Sequence, residues 1–420
     1  MLKRRHVLAA GLLAGTASTA AGPAVAQPAP PARPPARPPG GQGARPPGRA
    51  GRPPTPQPAG SPATTPLGPL DTAAKFAVII DHVTGAVLLE KDPDVPMVPS
   101  SMTKLMTAYL VYELLRAGRL QLTQELPVSE RAWRMGGSKM FVQVGTQVKV
   151  EDLIRGVIVQ SGNDACIVLA EGIAGSEEQF AELMTQKARD LGLERTTFRN
   201  STGWPHPEHR STARDIALLA RRIIRDFPEY YHYDAEKSFK YNGIDQPNRN
   251  PLVQKNLADG LKTGHTEDAG YGLVASAERA GRRVILMVNG LNTMRERAEE
   301  SERLLEWAFR EFENVTLFTA GDVVEQAPVH LGASATVPLV GGRDLVVTMP
   351  RGWRNRAKVT LAYTSPVPAP VQRGTRLGQL TVSGPGVPEL EVPLLAGADV
   401  ARLGLPGRAM AVVTRMLTGG

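Results

Sequence analysis

Ser101 and Lys104 stand three residues apart in Pro99-Ser100-Ser101-Met102-Thr103-Lys104. On a helix that spacing puts both side chains on one face, with Cβ atoms roughly 5–6 Å apart. A serine hydroxyl is a poor nucleophile until a base takes its proton, and a neutral lysine one turn away can be that base. Burial and a second cation, for which Lys262 is the candidate, would each lower the lysine pKa, because each disfavours the charged form. A serine at a helix N-terminus also lies where the dipole favours developing negative charge. Ser100 could be mistaken for the nucleophile, but only Ser101 has the three-residue spacing to lysine. Alone, the pair reads first as a capping serine and a solvated lysine.

Two more groups change that reading. Ser161-Gly162-Asn163 interrupts two helical stretches, Glu151 to Val159 and Asn163 to Ile173, so a hydroxyl and an amide can face a cleft there. Lys262-Thr263-Gly264 precedes a hairpin, Tyr271 to Ala277 and Val284 to Leu291 around Gly281, and is expected on an edge strand lining that cleft. Lysine there supplies a cation for a carboxylate, and glycine lets a substrate backbone approach closely. The elements that must position these groups are legible nearby. Phe76 to Ile80 and Ala86 to Leu89 form a first hairpin, Ser101 to Arg116 a largely buried helix ending at Gly118, and Glu296 to Phe312 an amphipathic helix.

In this order and at these spacings the three groups are the signature of penicillin-binding proteins and related β-lactamases. The longer stretches Pro99 to Thr107, Gln160 to Ala165 and Lys262 to Thr266 resemble the low-molecular-mass penicillin-binding proteins of peptidase family S11, the serine-type D-alanyl-D-alanine carboxypeptidases. So do Ser211 to Asp215, Gln246 to Asn250 and Leu304 to Phe309, while Ala369-Pro370-Val371 through Gly378 is similar to that family's C-terminal β domain. The resemblance runs from about Lys75 to Pro393. It implies an α+β fold, with a transpeptidase-like domain followed by a small all-β domain, and an enzyme that trims D-alanine from peptidoglycan stem peptides. Ser101 would be the nucleophile, Lys104 its base, Ser161 the relay to the leaving amine, and Asn163 the residue aligning the acyl chain. The backbone N–H groups of Ser101 and His265 would form the oxyanion hole. Lys262, Thr263 and Arg297 would hold the terminal carboxylate, with Gly264 beside them. β-Lactam antibiotics should acylate the same serine. Gly203-Trp204-Pro205-His206 departs from the family's commonest wording, which leaves fine substrate preference open.

Other readings are weaker. No acidic E-x-x-L-N segment lies between Asn163 and Lys262, which argues against a β-lactamase with a dedicated deacylating base. A non-catalytic wall-binding scaffold would have lost a site residue, and none is lost. His206 and His209 lack a third ligand cluster, and Pro205 and Pro207 forbid a regular helix, so no metal site is expected and no cofactor is implied. Cys166, the single cysteine, excludes an intrachain disulfide and reads as a small core residue.

The chain has 420 residues, 42% hydrophobic and 21% charged, enough for two or three globular domains. Its net charge of +8 comes from residues 1–70, which hold eight Lys and Arg and no acid, so the remainder is neutral (8 − 8 = 0). A nucleic-acid footprint on the folded part is therefore not expected. Lys3, Arg4 and Arg5, an apolar stretch to about Ala17 and Ala24-Val25-Ala26 read as a cleaved export signal over residues 1–26, by the ordinary secretory or the twin-arginine route. Residues 27–70, dense in proline and arginine, read as an extended tether or a cationic arm against anionic surfaces. A catalytic domain over 71–313 and a β domain over 314–400 follow, the latter signalled by short β-like runs between Gly and Pro turns. In the tail, 401–420, Met410, Val413, Met416 and Leu417 share one helical arc opposite Arg408 and Arg415. That layout suits a peripheral membrane contact, or a terminal helix packed on its own domain. The expected location is the periplasm, on the outer face of the inner membrane if the tail holds there.

Overall fold

The computed structural model describes residues 4–8, 61–353, 356–384 and 387–407. Most of the expected export signal and tether, and the tail from residue 408, lie outside the described residues.

The Phe76–Ile80 run is apolar at nearly every position because its sheet is covered on both faces. Strands β1 (Phe76–Asp81), β2 (Val87–Lys91), β3 (Gly260–Thr266), β4 (Gly270–Arg279) and β5 (Arg282–Leu291) form one antiparallel sheet in the order β2-β1-β5-β4-β3. Successive side chains point to opposite faces, so Ala77 and Ile79 enter one core while Val78 and Ile80 enter another. Leu286 and Val288 divide from Ile285 and Met287 in the same way. The first core is closed by the long C-terminal helix Met294–Glu311, and the second by a helical layer containing Lys104–Arg116, Val150–Ile158, Asn163–Ala174 and Ala213–Asp226. β3 is the sheet edge, as the sequence suggests, and one side of it faces the turn that carries Ser101.

The β domain has its own core and begins at Phe312, two residues before the expected boundary, with strand Phe312–Phe318 paired to Leu345–Pro350. Its larger sheet contains Val323–His330, Thr336–Gly341, Lys358–Tyr363, Val367–Pro368, Arg376–Gly384 and Val387–Ala396. Arg351 donates to the carbonyls of Phe309 and Arg310, and Thr84 Oγ1 meets Thr348 Oγ1 at 2.5 Å, joining the two domains.

Two stretches within the first seventy residues pair with the folded body, and the second moves the expected start of the catalytic domain from residue 71 back to residue 61. Arg4–Leu8 is an edge strand parallel to Lys358–Tyr363. Residues 61–70 also belong to the folded body: Ala63 is buried and pairs with Leu70, and Thr64 pairs with Glu90. The prolines at 62, 66 and 69 fall between the bonded residues, so no required N–H is missing.

Candidate active site

Ser100–Thr103 is a 3₁₀ turn, and the α-helix starts only at Lys104. In a 3₁₀ turn residues i and i+3 eclipse, which brings the two side chains together more directly than an α-helix would. Lys104 Nζ lies 3.0 Å from Ser101 Oγ. It also reaches Asn163 Oδ1 at 2.7 Å and the Thr202 carbonyl at 2.6 Å, so its three donor directions are all taken. Lys104 is 1% exposed. Burial lowers its pKa from 10.5 to about 8, against the opposing pull of nearby acidic groups including Asp164 and Glu177. Lys262, the expected second cation, is itself buried, and burial with the charge of Lys104 pushes its ammonium well down.

Each partner of Lys104 is held from behind. Asn163 opens its helix and donates through Nδ2 to the Gly136 carbonyl at 2.8 Å. The carboxylate of Asp164, wholly buried, accepts from the N–H groups of Met140, Phe141 and Val142, pinning the loop opposite. Glu177 accepts from the N–H and Oγ of Ser201, and Thr107 Oγ1 donates to the Ser201 carbonyl, which fixes Thr202 above Lys104. Next to Thr202, Gly203 has φ +85°, and a Cβ there would meet the Ser100 carbonyl oxygen at 1.8 Å. Backbone atoms on both sides leave no room to yield. Gly203→Ala is therefore expected to displace the Ser100–Ser101 turn and cut acylation of Ser101 by at least about 100-fold, in line with the rate loss from misplacing a reacting group by about 1 Å. A variant acylated at the wild-type rate by a labelled penicillin would contradict this.

Gly264 behaves differently from the sequence expectation. Its missing Cβ faces the protein's own turn, 3.2 Å from the Pro99 carbonyl oxygen and from Ser100 Cβ, so this glycine seats the serine-bearing turn against β3. Thr263 and His265 point along the cleft, and the His265 ring is exposed and stacked on Tyr271 at 3.9 Å. Arg297 lies on the first turn of Met294–Glu311, whose Thr293 cap accepts from the N–H of Glu296. It is 6% exposed, its Cζ is 5.8 Å from the Tyr271 ring, and its Nε has no hydrogen bond among the described residues. Lys262 is buried behind the strand and donates to the Thr263 carbonyl at 3.2 Å.

A cavity of ≈ 290 Å³ brings Ser101, Ser161, Thr263, Gly264, His265 and Arg297 together. Every site residue expected from the sequence thus lines this cavity or lies directly behind it. Arg249 also lines it, and sequence reasoning gave this residue no role. Its neighbours Asn248 and Asn250 tie the segment down by donating to the carbonyls of Glu236 and Gly260. The signal available was an arginine between two asparagines just after a short hairpin. Ser161 has φ +59°, the local strain that turns its hydroxyl out of the helical path into the cleft.

His209 is a core residue. Its Nε2 is 2.8 Å from Thr103 Oγ1, its Nδ1 accepts from the Arg199 N–H, and burial with surrounding cations lowers its pKa to about 3. Cys166 is fully buried in the helical core, and burial pushes its thiol up to about 12.

Residues 62–293 match the D-alanyl-D-alanine carboxypeptidase family, peptidase S11, and residues 312–402 match the C-terminal domain of penicillin-binding protein 5. The chain is 42% identical to D-alanyl-D-alanine carboxypeptidase DacC of Escherichia coli strain K12, over 80% of this chain and 86% of that protein. Penicillin-binding protein 5 from Haemophilus influenzae is similar in structure, with a TM-score of 0.74 and 37% identity over 80% of this chain and 99% of that one. Penicillin-binding protein D2 from Listeria monocytogenes in its ampicillin-bound form covers 56% of this chain and 97% of its own, with a TM-score of 0.52 and 30% identity. The first match takes in Ser101, Lys104 and the cleft residues as far as 293, leaving Arg297 just beyond it, and the chain belongs to the D-alanyl-D-alanine carboxypeptidase family.

Proposed function

We propose that this chain is a serine-type D-Ala-D-Ala carboxypeptidase that shortens peptidoglycan stem peptides by one D-alanine and is acylated by β-lactams. The observation that carries the reading is Lys104 Nζ at 3.0 Å from Ser101 Oγ, beside a cavity lined by Arg249 and Arg297. Ser101 Oγ attacks the carbonyl carbon between the two D-alanines while neutral Lys104 takes its proton. The backbone N–H groups of Ser101 and His265 receive the developing oxyanion. Ser161 delivers a proton to the leaving amine, and the C–N bond breaks. Asn163 holds Lys104 in place and aligns the acyl chain. Water then cleaves the Ser101 ester, freeing the shortened stem. Lys262, Thr263 and Arg297 hold the terminal carboxylate, and Arg249 joins them. The reaction takes place outside the cytoplasm, in the periplasm, after export through residues 1–26, with the 401–420 tail making at most a peripheral membrane contact.

A peptide ending in D-Ala-D-Ala should release D-alanine, and the same peptide with an amidated C-terminus should react at least about 100-fold more slowly in kcat/KM. The cause is buried cations left without their partner. Equal rates for acid and amide would refute the carboxylate site. Rapid turnover of penicillin without D-alanine release would point to a β-lactamase instead.

A further inference from the structure

Gly260, Lys262 and Gly264 of β3 pair with Ser276, Val274 and Gly272 of β4 and share the face turned to the helical layer, where Val274 is buried. A Cβ at Gly264 would meet the turn that carries Ser101, and a Cβ at Gly260 would lie 3.2 Å from Asp234 Cβ. Lys262 therefore stands between the serine turn and Asp234. Asp234 belongs to the short 3₁₀ turn Tyr231–Ala235. Asn248 Nδ2 donates to the Asp234 carbonyl at 3.4 Å and Asn250 Nδ2 to the Gly260 carbonyl at 3.0 Å, so the segment bearing Arg249 fastens this turn to the strand.

Asp234 is 3% exposed, and its Oδ2, shut off from solvent, has no hydrogen bond among the described residues. No step of the reaction touches it. Lys262 is equally buried, and the bond its Nζ makes is the long one to the Thr263 carbonyl. The other charges about Lys262 are the cations Lys104, Arg249 and Arg297, beside the Cys166 thiol. Around Asp234 stand the phenols of Tyr112 and Tyr231 and the carboxylate of Asp259, which Tyr231 and Arg283 hold. Among the described residues, the cation that acts on Asp234 is Lys262. Burial discharges both groups when each is alone: it pushes the Asp234 carboxyl up to about 8, with Asp259 adding to the push, and the Lys262 ammonium well down. Each keeps its charge best when the other is charged.

We infer that Asp234 is a positioning residue for substrate binding: from behind β3 it supplies the negative charge that keeps Lys262 an ammonium, ready for the substrate's terminal carboxylate. The inference rests on the carboxypeptidase reading above and adds to it a residue that acts only through Lys262, since Asp234 is not among those lining the cleft cavity. Alternate residues of a strand are about 7 Å apart, and opposite charges at that distance move each other's titration by on the order of one pH unit.

The test follows D-alanine release by the full chain, between pH 6 and 10, from an acetylated tripeptide ending in D-Ala-D-Ala with its C-terminus free or amidated. KM for the free acid should rise with pH as Lys262 gives up its proton. Removing a negative charge lowers an ammonium's pKa, so in Asp234→Asn that rise should begin about one pH unit lower, leaving KM up to about tenfold above wild type on the rising limb. The pH dependence of kcat, governed by Lys104, should stay where it is. For the amidated peptide, which brings no charge to Lys262, Asp234→Asn should change KM by less than about twofold at every pH. Asp234→Glu should restore the wild-type profile. Lys262→Arg, charged at every pH, should flatten the rise, and Asp234→Asn added to it should change nothing further. Asp234→Ser, smaller and equally uncharged, serves the same comparison if the amide prevents folding. A wild-type KM profile in the uncharged variant, or a loss equal at every pH and for both peptides, would overturn the role of Asp234 while leaving the carboxypeptidase reading intact. Release from neither peptide by the wild type, with penicillin still acylating Ser101, would overturn both.

Discussion

Ser101→Ala is expected to abolish penicillin acylation and to reduce D-alanine release by at least about 10⁴-fold, the scale on which removing a nucleophile is felt. Ser100→Ala should keep both within about threefold. The two adjacent hydroxyls differ in surroundings. Ser101 Oγ is 3.0 Å from Lys104 Nζ and opens on the cleft, whereas Ser100 is 1% exposed and its Oγ sees Thr266 Oγ1 at 3.3 Å. Ser100 also has φ +50°, an uncommon conformation for a residue with a side chain. That kink turns the next residue toward the lysine. Losing the long Ser100–Thr266 bond costs on the order of 1 kcal/mol of stability and removes nothing the reaction uses. Stopped-flow acylation and D-alanine assays on both variants check the pair. A Ser100→Ala enzyme as dead as Ser101→Ala would contradict the assignment.

Lys104→Arg should be nearly inactive, about 10³-fold down or more, because a guanidinium does not give up its proton and so cannot take one from Ser101. The wild-type enzyme should show the matching pH profile. With a pKa of about 8, Lys104 is mostly protonated at pH 6 and mostly neutral at pH 9. Acylation should therefore climb about tenfold per pH unit below 8 and level off above it. The same displacement works against the fold. Lys104 binds its proton less tightly folded than unfolded, so burying the ammonium costs about 3 kcal/mol below pH 8. That cost is relieved between pH 8 and 10.5, where the unfolded chain still holds the proton and the folded one does not. A flat acylation profile from pH 6 to 9 would contradict the role of Lys104.

The sequence carried the chemistry further than it carried the geometry. Ser101 and Lys104 could be paired from spacing because i and i+3 meet on a 3₁₀ turn as on an α-helix. The kind of turn, and the positive φ at Ser100 that aims it, leave no trace in the pattern. Phe76 to Ile80 was readable as a strand because burial on both faces makes it apolar throughout. In the β domain, Thr336–Gly341 and Val387–Ala396 were illegible because Pro338, Pro388 and Pro393 lie within them. The sheet tolerates Pro393 because pairing with Thr336–Gly341 begins only at Leu394. The segment at 61–70 was missed for the related reason that its composition is that of a tether, while its hydrogen bonds fall between the prolines. Arg249 was missed because a single cation has no spacing to read. Its part in the cleft exists only once two asparagines and a hairpin fold it beside Ser161.

The central claim is that one serine, Ser101, makes the acyl-enzyme. Mass spectrometry of the full chain after exposure to penicillin, with the adduct mapped by proteolysis, tests it most directly. One penicilloyl group on Ser101 is the predicted result, absent from Ser101→Ala and strongly reduced in Lys104→Arg. An adduct on Ser100 or Ser161, or no adduct on the wild-type chain, would contradict it.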